Sequence, residues 1–271
     1  GANIYASWGD GIVEKLVSDG TLKTTRHIYK LSNGVLPLKL AGDLHLLKKF
    51  ACSDAKLTVD VGEFAKCANL EILDFNGGHI LSVFGDLSKN LKLKEFWCAY
   101  PSTTHAVGIT GNLDLMTDLN TFEAQGTSGN YHVANFTGNF ANMPKMRQWC
   151  AVTKAGGDIT NLINIEYFSW GYVVGGPNGT VQADQSTVRL WGSISNLTKL
   201  YLIAWNGGAA TVTGSTALLE AMEDFQYVPP LVTKPSGLAH MPKLSVIYAP
   251  SSWQLTAAEV NQYLADIWAN R

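Results

Sequence analysis

One spacing of apolar residues recurs along most of this 271-residue chain. Counted from Gly111, the residues Leu113, Leu119, Phe122 and Ala124 stand at offsets of two, eight, eleven and thirteen. Comparable offsets follow seven further positions: Gly62, Gly85, Gly138, Gly157, Gly192, Gly214 and Ser236. An incomplete first unit supplies Leu47, Phe50 and Cys52, which makes nine units. A register held this often predicts a repeat architecture.

The shared core of each unit is L-x-x-L-x-L, preceded by a glycine and an apolar residue. The L-x-L part predicts a short strand whose alternate side chains point inward, and the leucine three residues earlier anchors the turn entering it. A single unit cannot bury its apolar face alone, so each unit stacks on its neighbours. Because paired strands lie about 4.8 Å apart, nine of them predict a parallel sheet roughly 40 Å across.

The repeat resembles the leucine-rich repeat family over residues 40–250, and its lead-in "ITGNL" and "FTGNF" is similar to the plant-type L-x-G-x-[IL] phasing. The resemblance implies an α/β solenoid: a right-handed superhelix with a curved parallel sheet, a concave exposed face and few convex helices. The chain departs from the family because most units lack the asparagine three residues after the last core position. The unit length also varies, from 19 residues between Gly138 and Gly157 to 35 between Gly157 and Gly192.

The two ends of the chain are predicted to cap a single repeat domain, because a terminal repeat would otherwise expose its core. Residues 1–39 form the N-terminal cap, in which "GDGIVEKLVSDG" is interpreted as a short helix before the strand-like "TRHIYKL". Residues 251–271 form a capping helix with Thr256 and Glu259 as its capping box. Its predicted apolar stripe is Val260, Tyr263, Leu264, Ile267 and Trp268. Between two units, residues 173–187 form an insertion rich in glycine and polar residues.

Composition and charge exclude several classes of function. Charged residues make up 15% of the chain, below the roughly 25% of typical soluble domains, and the net charge is −2. Without a basic cluster, no nucleic-acid partner is expected. No apolar run is long enough for a membrane-spanning helix. We expect an extracellular or cell-surface protein, with a virion-associated or cytoplasmic protein as the alternatives.

The cysteines and histidines give no catalytic, cofactor or metal-site prediction. Cys52 and Cys98 fall at inward positions separated by one unit, so we expect buried thiols that are too far apart to bridge. Cys150 falls on the exposed strand face, but no histidine can be placed beside it. The six histidines are scattered, and no two are three or four residues apart.

The outward x positions of the strands form the candidate binding face. Its predicted residues are Asp74, Glu95, Trp97, Thr121, Glu123, Gln125, Gln148 and Tyr167. Asp74, Trp97 and Glu123 are consecutive in the central column, so neighbouring members should lie roughly 5 Å apart. An exposed tryptophan between two carboxylates suits a protein partner or a sugar ring.

Three functions follow from these patterns. The first is a non-catalytic recognition module, expected to be monomeric, that binds protein or glycan through the concave face and the loop Gly175 to Thr187. The second is a structural or receptor-binding component of a larger assembly, because the C-terminal helix looks similar to surface and phage-tail-associated proteins of gut bacteria. The third is a carbohydrate-active hydrolase that uses Asp74 and Glu123, although nothing in the sequence deepens the face into a cleft.

Overall fold

The repeated apolar residues stack into a parallel-strand β-solenoid with few helices and one α-helix at its C-terminal end. This confirms the predicted solenoid. The computed structural model describes residues 2–16, 21, 25, 27, 38–52, 58–76, 82–99, 108–125, 133–153, 156–170, 190–205, 210–226 and 231–270. The insertion at residues 173–187 and most of "TRHIYKL" lie outside these ranges.

One strand from each repeat unit joins the sheet that we call the front sheet. Its nine parallel strands are β4 (Lys49–Ala51), β6 (Ile72–Asp74), β8 (Glu95–Ala99), β10 (Thr121–Gln125), β12 (Gln148–Thr153), β14 (Tyr167–Trp170), β16 (Leu202–Trp205), β18 (Asp224–Gln226) and β20 (Val246–Ile247). The register pairs Phe96 with Phe122 and Phe122 with Trp149, which occupy the same place in successive units. The pairing therefore keeps like positions of the repeat in one column.

A second set of parallel strands, the back sheet, lies between the front strands in chain order. It comprises β5 (Thr58–Asp60), β7 (Ser82–Asp86), β9 (Gly108–Asn112), β11 (Val133–Thr137), β13 (Gly157–Asp158), β15 (Leu190–Ser193), β17 (Ala210–Gly214) and β19 (Leu231–Val232). A bridge between Asn139 and Gly156 connects its two halves. Thr110 and Thr137 each donate a side-chain hydrogen bond to a glycine carbonyl of the preceding coil, Gly85 and Gly111 respectively. The "TG" pairs thus tie one coil to the next.

The core fills the space between the two sheets. At its centre Phe96, Phe122 and Trp149 are fully buried, whereas Phe50 at the first strand is only partly buried. Short 3-10 helices cross from the back sheet to the front sheet at Val61–Lys66, Leu113–Leu115 and Phe140–Asn142, and another, Leu44–Leu46, leads from the N-terminal cap into β4. The longest of these is one turn longer than the others, and the side chain of its N-cap Asp60 accepts a hydrogen bond from the backbone N–H of Gly62.

The N-terminal cap differs from the prediction. Residues expected to form a helix instead form β2 (Val13–Leu16), which pairs antiparallel with β1 (Ile4–Ser7). On its other side β1 pairs with β3 (Lys39–Gly42). Gly9 and Gly11 adopt positive φ between β1 and β2, so they turn the chain back as a hairpin before a helix can start.

The C-terminal helix α1 spans Ala257–Ala269 and begins with the predicted capping box of Thr256 and Glu259. A 3-10 helix, Ser251–Trp253, precedes it. Of the predicted apolar stripe, Tyr263 is buried and Ile267 packs against the core. The prediction is wrong for Val260, Leu264 and Trp268, which are 40%, 60% and 79% exposed. The solenoid end touches one edge of the helix and leaves the rest of the stripe in solvent.

Candidate binding face

The predicted face residues lie in adjacent columns on the outer side of the front sheet. Strand pairing places Asp74 beside Trp97, Trp97 beside Glu123 and Glu123 beside Cys150. In the next column, pairing runs from Glu95 through Thr121 and Gln148 to Tyr167. Gln125 pairs with Ala99, and the side chain of Gln125 lies outside the described part of the structure.

Trp97 is held in place by its own strand. Its indole Nε1 donates a hydrogen bond to Glu95 Oε2 at 3.0 Å, and the side chain is half-buried. Because Glu95 already satisfies the indole donor, the part of the Trp97 side chain left for a partner is apolar. A fixed aromatic surface costs little conformational entropy when it binds.

Asp74 and Glu123 lie on the two strands that neighbour the strand of Trp97. The carboxylate of Asp74 is also held in place. Its Oδ1 accepts a hydrogen bond from the backbone N–H of Asn76 at 3.1 Å. The Lys49 ammonium lies 4.0 Å from Asp74 Oδ2. The carboxylate therefore keeps its position beside the tryptophan ring.

Glu123 is a partly buried carboxyl of the face. Burial raises its pKa above the ordinary value, and the hydrogen bond from Gln148 Nε2 to Glu123 Oε2, 3.0 Å long, acts in the opposite direction. The amide thus stabilises a carboxylate that has lost part of its hydration. Together Glu123 and Gln148 form a polar pair adjacent to the Trp97 ring.

The pH dependence of stability should reveal this buried carboxyl. Because the folded protein holds the Glu123 proton more tightly than the unfolded chain, stability falls as pH rises from the ordinary glutamate pKa to the raised one. Glu123→Gln cannot lose a proton, so its stability relative to wild type should increase as the pH rises through the ordinary glutamate pKa toward the raised pKa of Glu123. Urea titrations at several pH values measure this difference.

Glu71→Gln is the control of opposite sign. The hydrogen bond from Lys94, foremost, and that from Lys48 lower the pKa of Glu71. Its charged form stabilises the fold above the unfolded pKa, and this contribution is lost as pH falls. Glu71→Gln should therefore lose stability relative to wild type as pH rises. A Glu123→Gln profile that shifts in the same direction as Glu71→Gln would contradict the assignment.

Three side chains in the middle of the face are more buried than strand alternation predicts. Thr121, Cys150 and Ser169 are 6%, 5% and 2% exposed, so the prediction that Thr121 and Cys150 are exposed is wrong. Thr121 stands between the long side chains of Glu95 and Gln148 in its column. A short side chain between long ones loses its exposure, which strand alternation alone does not reveal.

Cys150 contributes a protonated thiol rather than a nucleophile. Burial, foremost, and the nearby Glu123 carboxylate raise its pKa to about 12, although hydrogen bonds with Tyr167 and Ser169 oppose the shift. Burial also raises the pKa of the Tyr167 phenol. A thiolate is the reactive form of cysteine, so this thiol is chemically inert at neutral pH.

A row of charged residues directly before the strands was missed by the sequence analysis. The Glu71 carboxylate accepts from Lys94 Nζ at 2.6 Å and lies 3.4 Å from Lys48 Nζ. Two units further along, Arg147 forms two hydrogen bonds with Glu166. In the aligned repeat units, the position directly before the strand carries charges of alternating sign. That pattern is the sequence signal that would have revealed the row. These ion pairs flank the face.

Tyr201 is a second missed residue. Its ring lies 6.1 Å from that of Tyr167, centroid to centroid, in an edge-to-face arrangement. Tyr201 precedes β16 and therefore lies at the edge of the face, outside the x positions from which the face was predicted. It extends the aromatic part of the face from Tyr167 toward the row of charged residues.

Within the part of the chain that the structure describes, no three histidine, cysteine or acidic side chains gather into a group that could hold a metal ion. Among the same residues, no helix combines the length and apolarity needed to cross a membrane. No model of a protein family and no curated protein matches the chain. The geometry of the face is therefore the basis for inferring a function.

Proposed function

We propose that this protein is a non-catalytic recognition module of the leucine-rich-repeat type that binds a protein or a glycan through the outer side of its front sheet. The observation that carries the proposal is the fixed Trp97 ring with Asp74 and Glu123 on the two neighbouring strands. A rigid aromatic surface flanked by hydrogen-bonding groups is the usual composition of a binding hot spot.

The register supports the leucine-rich-repeat assignment. The L-x-x-L-x-L positions align strand to strand, and the residues between them face outward in columns. The lead-in glycines Gly85, Gly138, Gly192 and Gly214 lie in or directly after strands of the back sheet and have positive φ, whereas Gly111 does not. A repeat that produces columns of outward side chains is suited to recognition, because each column varies without disturbing the core.

The chemistry of the face favours binding over catalysis. The Cys150 thiol is protonated at neutral pH, and Glu123 is engaged by Gln148. Asp74 and Glu123 are separated by one intervening strand, which places them about 10 Å apart, slightly wider than the carboxyl pairs of glycosidases. The described outer side of the front sheet carries Asp74, Glu95, Glu123 and Asp224 against a single lysine, Lys49, so neutral hydroxyl-rich or cationic ligands fit it better than anions.

The double variant Trp97→Ala/Glu123→Ala tests the proposal. An oligosaccharide array and a displayed random-peptide library supply the probes, and the best ligand from each is measured by calorimetry. The double variant should lose about tenfold or more in affinity, because it removes the aromatic surface and one flanking carboxylate.

The matched control is Trp191→Ala/Glu220→Ala, which changes the same residue types at exposed positions away from the front sheet. It should bind as wild type does. Equal affinity of wild type and the Trp97/Glu123 double variant for every selected ligand would refute the proposal, provided that circular dichroism shows the variant folded.

A further inference from the structure

Helix α1 exposes an apolar seam on the side that faces away from the solenoid. Ala257, Asn261, Leu264 and Trp268 follow one another at spacings of four, three and four residues, the a/d spacing of a heptad. Leu264 is 60% exposed and Trp268 is 79% exposed, with Val260 at 40% along the flank. Such side chains are normally covered when they line one helix face, so the seam is a candidate interface.

The opposite side of the helix is fully engaged with the solenoid. The Tyr263 hydroxyl donates to the carbonyl oxygen of Pro235, and Asp266 Oδ2 accepts from the backbone N–H of Leu238 at 2.6 Å. Asn270 Nδ2 donates to the carbonyl oxygen of Met241 at 3.2 Å. These contacts fix the helix orientation, so the seam cannot turn inward to bury itself.

The seam carries no charge over Ala257–Ala269. Both acidic side chains of the helix are engaged elsewhere: Glu259 pairs with Lys234 at 2.6 Å, and Asp266 accepts from Leu238 and Gln262. A surface without charge offers nothing to a charged partner and repels nothing in a copy of itself. The charge pattern therefore favours self-association.

The order of residue sizes along the seam is also self-complementary. When two copies of α1 pair antiparallel about a two-fold axis, a positions meet d positions, so Trp268 of one copy meets Ala257 of the other. Leu264 likewise meets Asn261, so each large side chain faces a small or medium one. In the antiparallel arrangement the positive end of each helix dipole lies beside the negative end of the other, which is favourable.

We propose that the seam of α1 is a homodimer interface in which two copies of this chain pair antiparallel through their C-terminal helices. The inference is independent of the proposed function of the front sheet. The exposed apolar side chains would bury on the order of 400 Å² per copy, about half of a standard specific interface. The dimer is accordingly weak, with a dissociation constant on the order of 100 µM.

Sedimentation equilibrium between about 10 and 500 µM tests the proposal. The average mass of wild type should rise from the 29.4 kDa of one chain toward twice that value. Trp268→Ala should remain monomeric over this range, whereas Trp191→Ala, which removes a tryptophan 43% exposed on the back sheet, should associate like wild type. A monomeric wild type at the highest concentration overturns the proposal, as does a Trp268→Ala variant that still associates.

A gain-of-association variant tests the register. Asn261→Leu places leucine opposite Leu264 of the other copy and should tighten the dimer about tenfold. Ala269→Leu adds similar apolar area to the same helix but away from the seam, so it should leave the dissociation constant unchanged. Equal tightening by both variants would indicate nonspecific hydrophobic association and would overturn the antiparallel seam.

Discussion

Replacing Trp149 with alanine should lower the free energy of unfolding by about 3–5 kcal/mol. Trp149 is the largest fully buried side chain. Its ring stacks on Phe122 at 4.9 Å and meets Phe140 edge-on at 4.9 Å and Phe136 at 6.1 Å. The cavity would open in the middle of the solenoid, where each coil is stabilised chiefly by its two neighbours. Urea denaturation followed by circular dichroism measures the loss.

Trp149→Phe separates the cost of the cavity from the chemistry of the indole. The Nε1–H of Trp149 is buried and has no hydrogen-bond acceptor among the described residues, so phenylalanine removes an unsatisfied donor while keeping an aromatic ring in the stack. We expect this variant to cost about 1 kcal/mol or less. Trp191→Ala, at an exposed site, should also be nearly neutral. If Trp149→Phe were as damaging as Trp149→Ala, the indole N–H would have to contribute to stability.

The inward column of the front sheet was predictable because stacking repeats one requirement in every unit. Phe96, Phe122, Trp149 and Phe168 are aligned by pairing as they are by the repeat. Their differing sizes matter little, since each fills the gap between two coils. The sequence period therefore specifies both the strands and their register.

A further buried column, three residues before the first core leucine, escaped the sequence analysis. It contains Cys67, Asn90, Met116, Met143, Leu162, Leu197, Leu219 and Met241, and its residue types differ too much to stand out as a repeat. Asn90 is only 1% exposed, and its Nδ2 donates to the carbonyl oxygen of Phe64 at 2.9 Å. Such a polar member is recognisable only once the coils are stacked, because its partner lies in the preceding unit.

The candidate face, too, was predictable from the sequence only in part. Alternation along each strand predicted which residues point outward, and pairing brings Asp74, Trp97 and Glu123 into neighbouring positions. Alternation could not predict that Thr121 and Cys150 are buried, because their exposure depends on the lengths of side chains on other strands. The hydrogen bond between Gln148 and Glu123 depends on rotamers, which a periodic pattern does not encode.

Gly157→Ala should destabilise the protein by about 3 kcal/mol or more. Gly157 has a φ of +104°, and a Cβ there would lie 1.9 Å from Asn139 Oδ1. That oxygen accepts hydrogen bonds from the backbone N–H groups of Ala141 and Asp158, at 2.8 and 3.0 Å. The added methyl group would displace the Asn139 side chain at the bridge that connects the two halves of the back sheet. Thermal and urea denaturation measure the effect.

Two comparisons separate backbone strain from the collision with Asn139. Gly11 has a φ of +90°, and no atom of the described residues lies within 4 Å of an added Cβ, so Gly11→Ala should cost only the strain, about 1–2 kcal/mol. In a double-mutant cycle, Asn139→Ala combined with Gly157→Ala should cost less than the sum of the single variants, since either change alone already removes the Asn139 hydrogen bonds. If the two costs add, Gly157 and Asn139 act independently. Backbone strain at positive φ would then be the only reason for a glycine at position 157. If Gly157→Ala lowers stability no more than Gly11→Ala does, the collision with Asn139 likewise does not contribute to the loss.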